Sequence, residues 1–236
     1  MDELDKPLSP FVIAIIPFYA AFFIGLFLFP VAQDWRWLQA WLFLAAFSII
    51  LGVGYFLINK ENPRVLRNRM KLKKQGLTHT TKKSAGSDRF IMPIISITFF
   101  AALLLPAFGR RLGWPELPFW LTLIGLLVSS AGTIIMLLAM YQNAHASKLL
   151  DINQEQKLID SGLYSKVRHP LYSGAIWMVL GTPIALGSYW GLIPASIACI
   201  TLIWRINFEE EMLLKGMDGY AAYQGRVKYK LFPGIY

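Results

Sequence analysis

At 236 residues, the chain is 56% hydrophobic and only 16% charged, with a mean hydropathy of +0.47. That balance excludes an ordinary soluble domain and points to a membrane protein. Its net charge of +9 raises nucleic acid as a partner, but the basic residues gather at the ends of apolar spans, where topology alone explains them. Cys199, the single cysteine, lies inside an apolar stretch, so no intramolecular disulfide can form and the redox compartment cannot be read.

Residues 1–9 form a short polar tail. A first span is expected from about Pro10 to Phe29, with Pro17 as a candidate kink. It lacks a basic n-region and a small-residue cleavage site, so it reads as a retained helix. A second span is expected from Trp35 to Ile58, with Trp35, Trp37 and Trp41 as interfacial anchors. The character then changes. Lys60 to Arg89 holds ten Lys or Arg against only Glu61 and Asp88, and reads as a helical start, Pro63 to Lys74, followed by a loop.

The third span is expected at Phe90–Phe108 and the fourth at Leu117–Met140, the latter with a small-residue face of Gly125, Ser129, Ser130 and Gly132. A second polar segment covers 141–171. The last apolar run, Tyr172 to Ile206, is broken at Gly187-Ser188 and is expected as two spans of roughly 16–18 residues, short of the usual ~20. A polar, partly helical tail, 207–236, completes the chain. The fold class expected is therefore all-α: a polytopic bundle of about six spans whose last two form a short hairpin, with a helical C-terminal tail. Its parts are an N-terminal hairpin at 1–58, a basic loop at 59–89 and a core at 90–236. Six spans put both termini on one face. Of the 23 Lys and Arg, only Arg36, Arg110 and Arg111 then fall opposite, which makes the face of the termini cytoplasmic. Contact of the basic loop with anionic lipid fits the same pattern.

The stretch Gly162 to Gly174 gathers Tyr164, Arg168, His169 and Tyr172 just before the last hairpin. Glu209, Glu210 and Glu211 follow just past it. A hairpin that enters the bilayer and returns brings the cationic and acidic clusters to the same side, where they can hold a ligand carrying both charge signs. Bland readings exist for each residue. Arg168 before Pro170 is an ordinary juxtamembrane cation at a helix start. Consecutive glutamates point about 100° apart on a helix, so at most one or two serve one site. Arg205 stands four residues before Glu209, a spacing that permits a local ion pair. Asn143 and His145 suit a helix end better than catalysis; Tyr220, Tyr223, Arg226 and Val227 suit an amphipathic helix at the membrane surface, with packing against the core as the bland reading. What weighs against the bland readings is company: Gly162, Tyr164, His169, Tyr172 and Gly174 share no topological reason to stand together. No metal is expected, because three His (His79 among them) and one Cys have no ligand spacing. No phosphate loop or Ser-His-Asp set stands out either.

Three spaced elements carry a resemblance. Gly162-x-Tyr164-x-x-x-Arg168-His169-Pro170-x-Tyr172-x-Gly174, Arg205-x-x-x-Glu209-Glu210-x-x-Leu213 and Tyr220-x-x-Tyr223-x-x-x-Val227 together resemble the isoprenylcysteine carboxyl methyltransferase family. That family sits in a wider group of membrane methyltransferases that includes phospholipid N-methyltransferases. Asn62-Pro63 and the basic helix after it are similar to bacterial members. The resemblance covers about 162–227. It implies a membrane enzyme that binds S-adenosylmethionine at the cytosolic face and methylates a lipophilic acceptor entering from the lipid, in a bacterial cell membrane. The cofactor would lie among Tyr164, Arg168, His169, Pro170, Tyr172, Gly174, Glu209 and Glu210, with Arg168, Arg205 and Glu209 closest to the chemistry. The ending after Val227 differs from the eukaryotic members, and the extra N-terminal spans of those enzymes are not found, so the acceptor stays open.

The chemistry fits those residues. S-adenosylmethionine carries a sulfonium, an ammonium and a carboxylate. A glutamate can face a cation, Arg168 or His169 can hold the carboxylate, and aromatic faces suit the sulfonium. A carboxylate acceptor arrives ionised and needs only a cation such as Arg205 or Arg226 to orient it. An amine acceptor must shed a proton, which makes Glu209, Glu210 or His169 candidate bases. Two other classes compete. A sterol-type membrane reductase would bind a nicotinamide cofactor and draw its acid or base from Tyr164, Tyr172 and Glu209. A transporter or assembly factor would carry ionisable residues at mid-membrane and internal repeats, and neither is visible.

Overall fold

The computed structural model describes residues 6–67, 88–143 and 158–236. His79, His145 and the basic loop beyond residue 67 lie outside them. The described chain is helical, with helices α1 (Pro10–Ala32), α2 (Leu38–Glu61), α3 (Asp88–Leu112), α4 (Phe119–Gln142), α5 (Pro170–Ala185), α6 (Leu192–Gly216) and α7 (Tyr220–Arg226), and a 3-10 turn at Gly162–Ser165. Ser9 caps α1 by accepting from the Val12 amide, and Pro17 and Pro30 lie within that helix. Residues 63–67 are helical, at the start of the helix expected there.

Five helices, α1 to α4 and α6, are long and apolar enough to cross a membrane. Helix α5 has 16 residues, about 24 Å of rise, against a hydrocarbon core of roughly 30 Å. It nonetheless runs from one end of the bundle to the other. At its start Ser173 donates to the Leu231 carbonyl of the tail. Beyond its end the Gly187 carbonyl accepts from the Leu117 amide, in the α3–α4 connection. The expected break at Gly187-Ser188 falls in the α5–α6 turn. Past the end of the apolar run at Ile206, α6 continues without interruption to Gly216, into the segment expected to be partly helical. Its polar continuation stays helical because it packs as an amphipathic turn, with Arg205, Ile206 and Glu210 buried.

The turn end opposite the motif is tied by charge and aromatic contacts. Arg110 bridges Asp34 (2.9 Å) and Glu116 (2.5 Å), and Trp114 packs on Trp190. The backbone amide of Arg36 and then the Arg110 guanidinium hold the Asp34 carboxyl below its ordinary range. Much of α1 and α2 turns large apolar side chains outward, among them Phe18, Phe22, Ile49 and Phe56, as a lipid-facing surface requires. The interior core lies between α3, α5 and α6, around Ala102, Ile176, Val179, Ala198 and Leu202.

The closest helix pair is α4 with α5, and its cause is the expected small-residue face. Gly125, Ser129 and Gly132 of α4 meet Gly174 and Gly181 of α5. A Cβ on Gly174 would lie 2.6 Å from the Gly132 carbonyl oxygen, so no larger residue fits without parting the helices. Replacing Gly174 by Leu is therefore expected to cost about 3 kcal/mol or more through overpacking. Thermal unfolding in detergent should show the drop, with Gly225→Ala, whose Cβ would meet nothing within 4 Å, as the neutral comparison.

Candidate functional site

The site grows from the junction between the Arg-His-Pro motif, α6 and the tail. Pro170 occupies the first turn of α5, where its missing N–H costs nothing, and is fully buried. Pro170 thereby fixes His169 as the cap and leaves Arg168 and His169 in non-helical backbone. Their amides pair across to the tail, Arg168 N–H to the Tyr229 carbonyl (3.0 Å) and His169 N–H to that of Lys230 (2.9 Å). The Arg168 guanidinium donates through Nη1 to the carbonyls of Val227 (2.6 Å) and Lys228 (2.9 Å). With Ser173 on Leu231 at 2.7 Å, five successive tail carbonyls accept from the motif. This is part of what Arg168 does.

Its other role is electrostatic. Arg168 Nε donates to Glu210 Oε1 at 2.6 Å, and His169 Nε2 lies 3.2 Å from the same oxygen. The other Glu210 oxygen stands 3.4 Å from Lys230 Nζ. Arg168, His169 and Glu210 are all buried, so this is a desolvated node rather than a surface pair. Among the described residues, the hydrogen bonds of Arg168 run through Nε and Nη1, which leaves Nη2 as the arm able to reach an anion.

A second node lies one turn away. Tyr172 donates its phenol to Glu209 Oε2 at 2.6 Å and stacks against His169, ring centroids 5.7 Å apart. Arg205 Nη1 contacts the same phenol, and its guanidinium lies over the Tyr172 ring at 5.7 Å. Arg205 also holds Asp88 with two N–H groups, Nε to Oδ1 at 3.1 Å and Nη2 to Oδ2 at 3.3 Å, both residues buried. Glu209 is the more open carboxylate, its side chain 24% exposed against 7% for Glu210. Glu211 points away and pairs with Lys215 on the surface.

The structure thus gathers Arg168, His169, Tyr172, Arg205, Glu209 and Glu210 in one place. Three sequence candidates stand apart. Gly174 faces Gly132 and Met136 of α4, a packing position rather than a place on the charged cluster. Arg226 pairs with Asp160 at 2.6 Å on the exposed surface. Tyr164 is buried in the 3-10 turn, its carbonyl accepting from the Tyr223 hydroxyl at 2.7 Å. Tyr220 and Tyr223 of helix α7 are buried against the motif, which is the packing role the sequence also allowed them. Burial pushes both phenols above their ordinary range, and for Tyr220 the Glu210 carboxylate adds to the rise. The Tyr220 hydroxyl has no partner among the described residues. A buried, unpartnered hydroxyl beside Glu210 and Arg168 is what a polar ligand would satisfy. Sequence reasoning missed Asp88, which it counted only as an acid within the basic loop.

Comparison with known proteins finds membrane methyltransferases. A family model described as "Phospholipid methyltransferase" matches residues 120–218. The chain is 25% identical over 201 residues to a protein-S-isoprenylcysteine O-methyltransferase from Saccharomyces cerevisiae, covering 79% of this chain and 76% of the relative. It is 29% identical over 186 residues to a probable protein-S-isoprenylcysteine O-methyltransferase from Oryza sativa subsp. indica, covering 74% and 85%. A solved structure of a eukaryotic intramembrane isoprenylcysteine carboxyl methyltransferase aligns with a TM-score of 0.48 and 18% identity, over 97% of this chain and 88% of that one. By these matches the chain is an integral membrane methyltransferase similar to the isoprenylcysteine carboxyl methyltransferases.

Proposed function

We propose that the protein transfers a methyl group from S-adenosylmethionine to the carboxylate of a prenylated cysteine, at the end of the bundle that carries both termini. The observation that carries this reading is the buried Arg168–His169–Glu210 node set beside the half-open Glu209. Together they offer one end suited to an anion and another suited to a cation. The cofactor, when bound, supplies an electrophilic methyl group on a sulfonium. The chain's part is to hold it: the free arm of Arg168 suits its carboxylate, Glu209 its cationic groups, and the Tyr172 ring a neighbouring cation. The Tyr220 hydroxyl, close enough to Glu210 and Arg168 to feel their charges, is a further hydrogen-bond group.

Methyl transfer is an in-line displacement, so alignment and exclusion of water supply most of the rate. A carboxylate acceptor is ionised at neutral pH and needs no base. Arg168 and Arg205, with Glu209 opposite, would orient the reacting groups. An N-methyl acceptor is the second reading, favoured by the phospholipid methyltransferase match over 120–218. It would need a base, and Glu209 is the accessible one.

The test is methyl transfer by the purified protein from labelled S-adenosylmethionine to an N-acetyl-S-prenylcysteine or to phosphatidylethanolamine. Under the carboxylate reading only the prenylcysteine is labelled, as a base-labile ester, and the rate is flat across neutral pH. Labelling of the phospholipid amine, with a rate climbing as pH rises, would give the second reading instead. The placement of the site in the cytoplasm has its own check. Arg111→Cys should react with an impermeant thiol reagent added to intact cells and Lys215→Cys should not; the opposite pattern inverts the topology.

A further inference from the structure

The two carboxylates that flank Arg205 are not equivalent. Asp88 takes both Nε and Nη2 of the guanidinium, at 3.1 and 3.3 Å, in a pair buried on both sides. Glu209 receives only Nη1, at 3.5 Å, and its better hydrogen bond is the one from the Tyr172 phenol at 2.6 Å. The spacing Arg205-x-x-x-Glu209 on α6 would by itself favour a close local ion pair. What prevents it is a carboxylate 117 residues away in sequence, standing at the first turn of α3. There the helix N-terminus also favours a negative charge.

We propose that Asp88 is a positioning residue that draws Arg205 off Glu209, so that the Glu209 charge stays available to the cationic end of the bound ligand. This rests on the cofactor reading above. The charge balance supports it. Counted over these described residues alone, Asp88, Arg205 and Glu209 carry one negative charge in excess, whereas Arg168, Lys230 and Glu210 carry one positive charge in excess. Without Asp88, Arg205 would turn fully onto Glu209, and the negative half of the site would become neutral. The fork geometry explains why the cation is arginine. A lysine ammonium on the same stem could not bind two oxygens of Asp88 while also reaching Tyr172.

The test is a cycle of S-adenosylmethionine affinities, by calorimetry on detergent-purified protein: wild type, Asp88→Asn, Arg205→Gln and the double variant. Asp88→Asn should weaken binding by about tenfold when Arg205 is present. It should change little in the Arg205→Gln background, because the competing cation is gone. Asp88→Glu, which keeps the charge, should recover most of the affinity and serves if Asp88→Asn does not fold. An equal loss in both backgrounds, or full affinity in a folded Asp88→Asn, overturns the proposal while leaving the cofactor reading intact. A folded wild type that does not bind S-adenosylmethionine removes the reading and the proposal together.

Discussion

Replacing Glu210 by Gln should abolish S-adenosylmethionine binding while the helices stay formed. Glu210 is the shared acceptor for Arg168 and His169 and lies 3.4 Å from Lys230. Neutralising it leaves the Arg168 cation buried without its counter-charge, a loss of about 3–5 kcal/mol in pairs of this kind. Part of that cost is met by rearrangement of the junction, so the pocket is lost before the bundle. Calorimetry should show no binding, and circular dichroism should keep its helical signal. The comparison is Glu211→Gln next door. Glu211 pairs only with Lys215, both side chains more than half exposed, and its removal should shift stability by no more than about 0.5 kcal/mol. Equal effects at the two positions would dissolve the distinction between a buried node and a solvated helix face.

Arg168→Ala is the second large expectation, and it differs in kind. It strips the Val227 and Lys228 carbonyls of their donor as well as Glu210 of its cation. Cofactor affinity should fall by about a hundredfold or more, and the tail should become the first segment cut by protease, since buried polar groups without partners cost about 1–3 kcal/mol each. Arg168→Lys should recover part of the Glu210 contact but not the tail carbonyls, because an ammonium lacks the planar fork. If Arg168→Lys restores both protection of the tail and affinity, the guanidinium geometry is irrelevant and charge alone suffices.

Much of this was legible in the residues. Runs of apolar residues near twenty long gave the helices, and Gly125, Ser129 and Gly132 gave the α4–α5 seam, because only small side chains allow backbones so close. Helical spacing also foretold that three consecutive glutamates cannot share one site, as Glu211 on the surface bears out. The joining of Arg168 to Glu210 followed from a hairpin that goes down and returns. Asp88 was not legible. It looks like a stray acid among ten Lys and Arg, and its partner is a hundred residues off, set by how α3 lies on α6. That α6 is one unbroken helix past Ile206 was not legible either. A hydropathy boundary marks where side chains turn polar, not where the helix ends. Gly174 packs against Gly132 and Met136 of α4, a role its place beside the motif did not show, because a small residue there looks the same whether a cofactor or a neighbouring helix presses on it.

The motif reads Val227 to Leu231 mainly as a row of carbonyl oxygens, with the Lys230 ammonium near Glu210 and the buried Leu231 the side chains that also count. Every amino acid brings that oxygen, so the wording of the tail can drift across a lineage while the lock it forms stays shut. At Val227, Lys228 and Tyr229 the constraint falls on the path of the main chain. A divergent ending is then no sign of a divergent pocket, and specificity for the acceptor has to be sought elsewhere along the bundle.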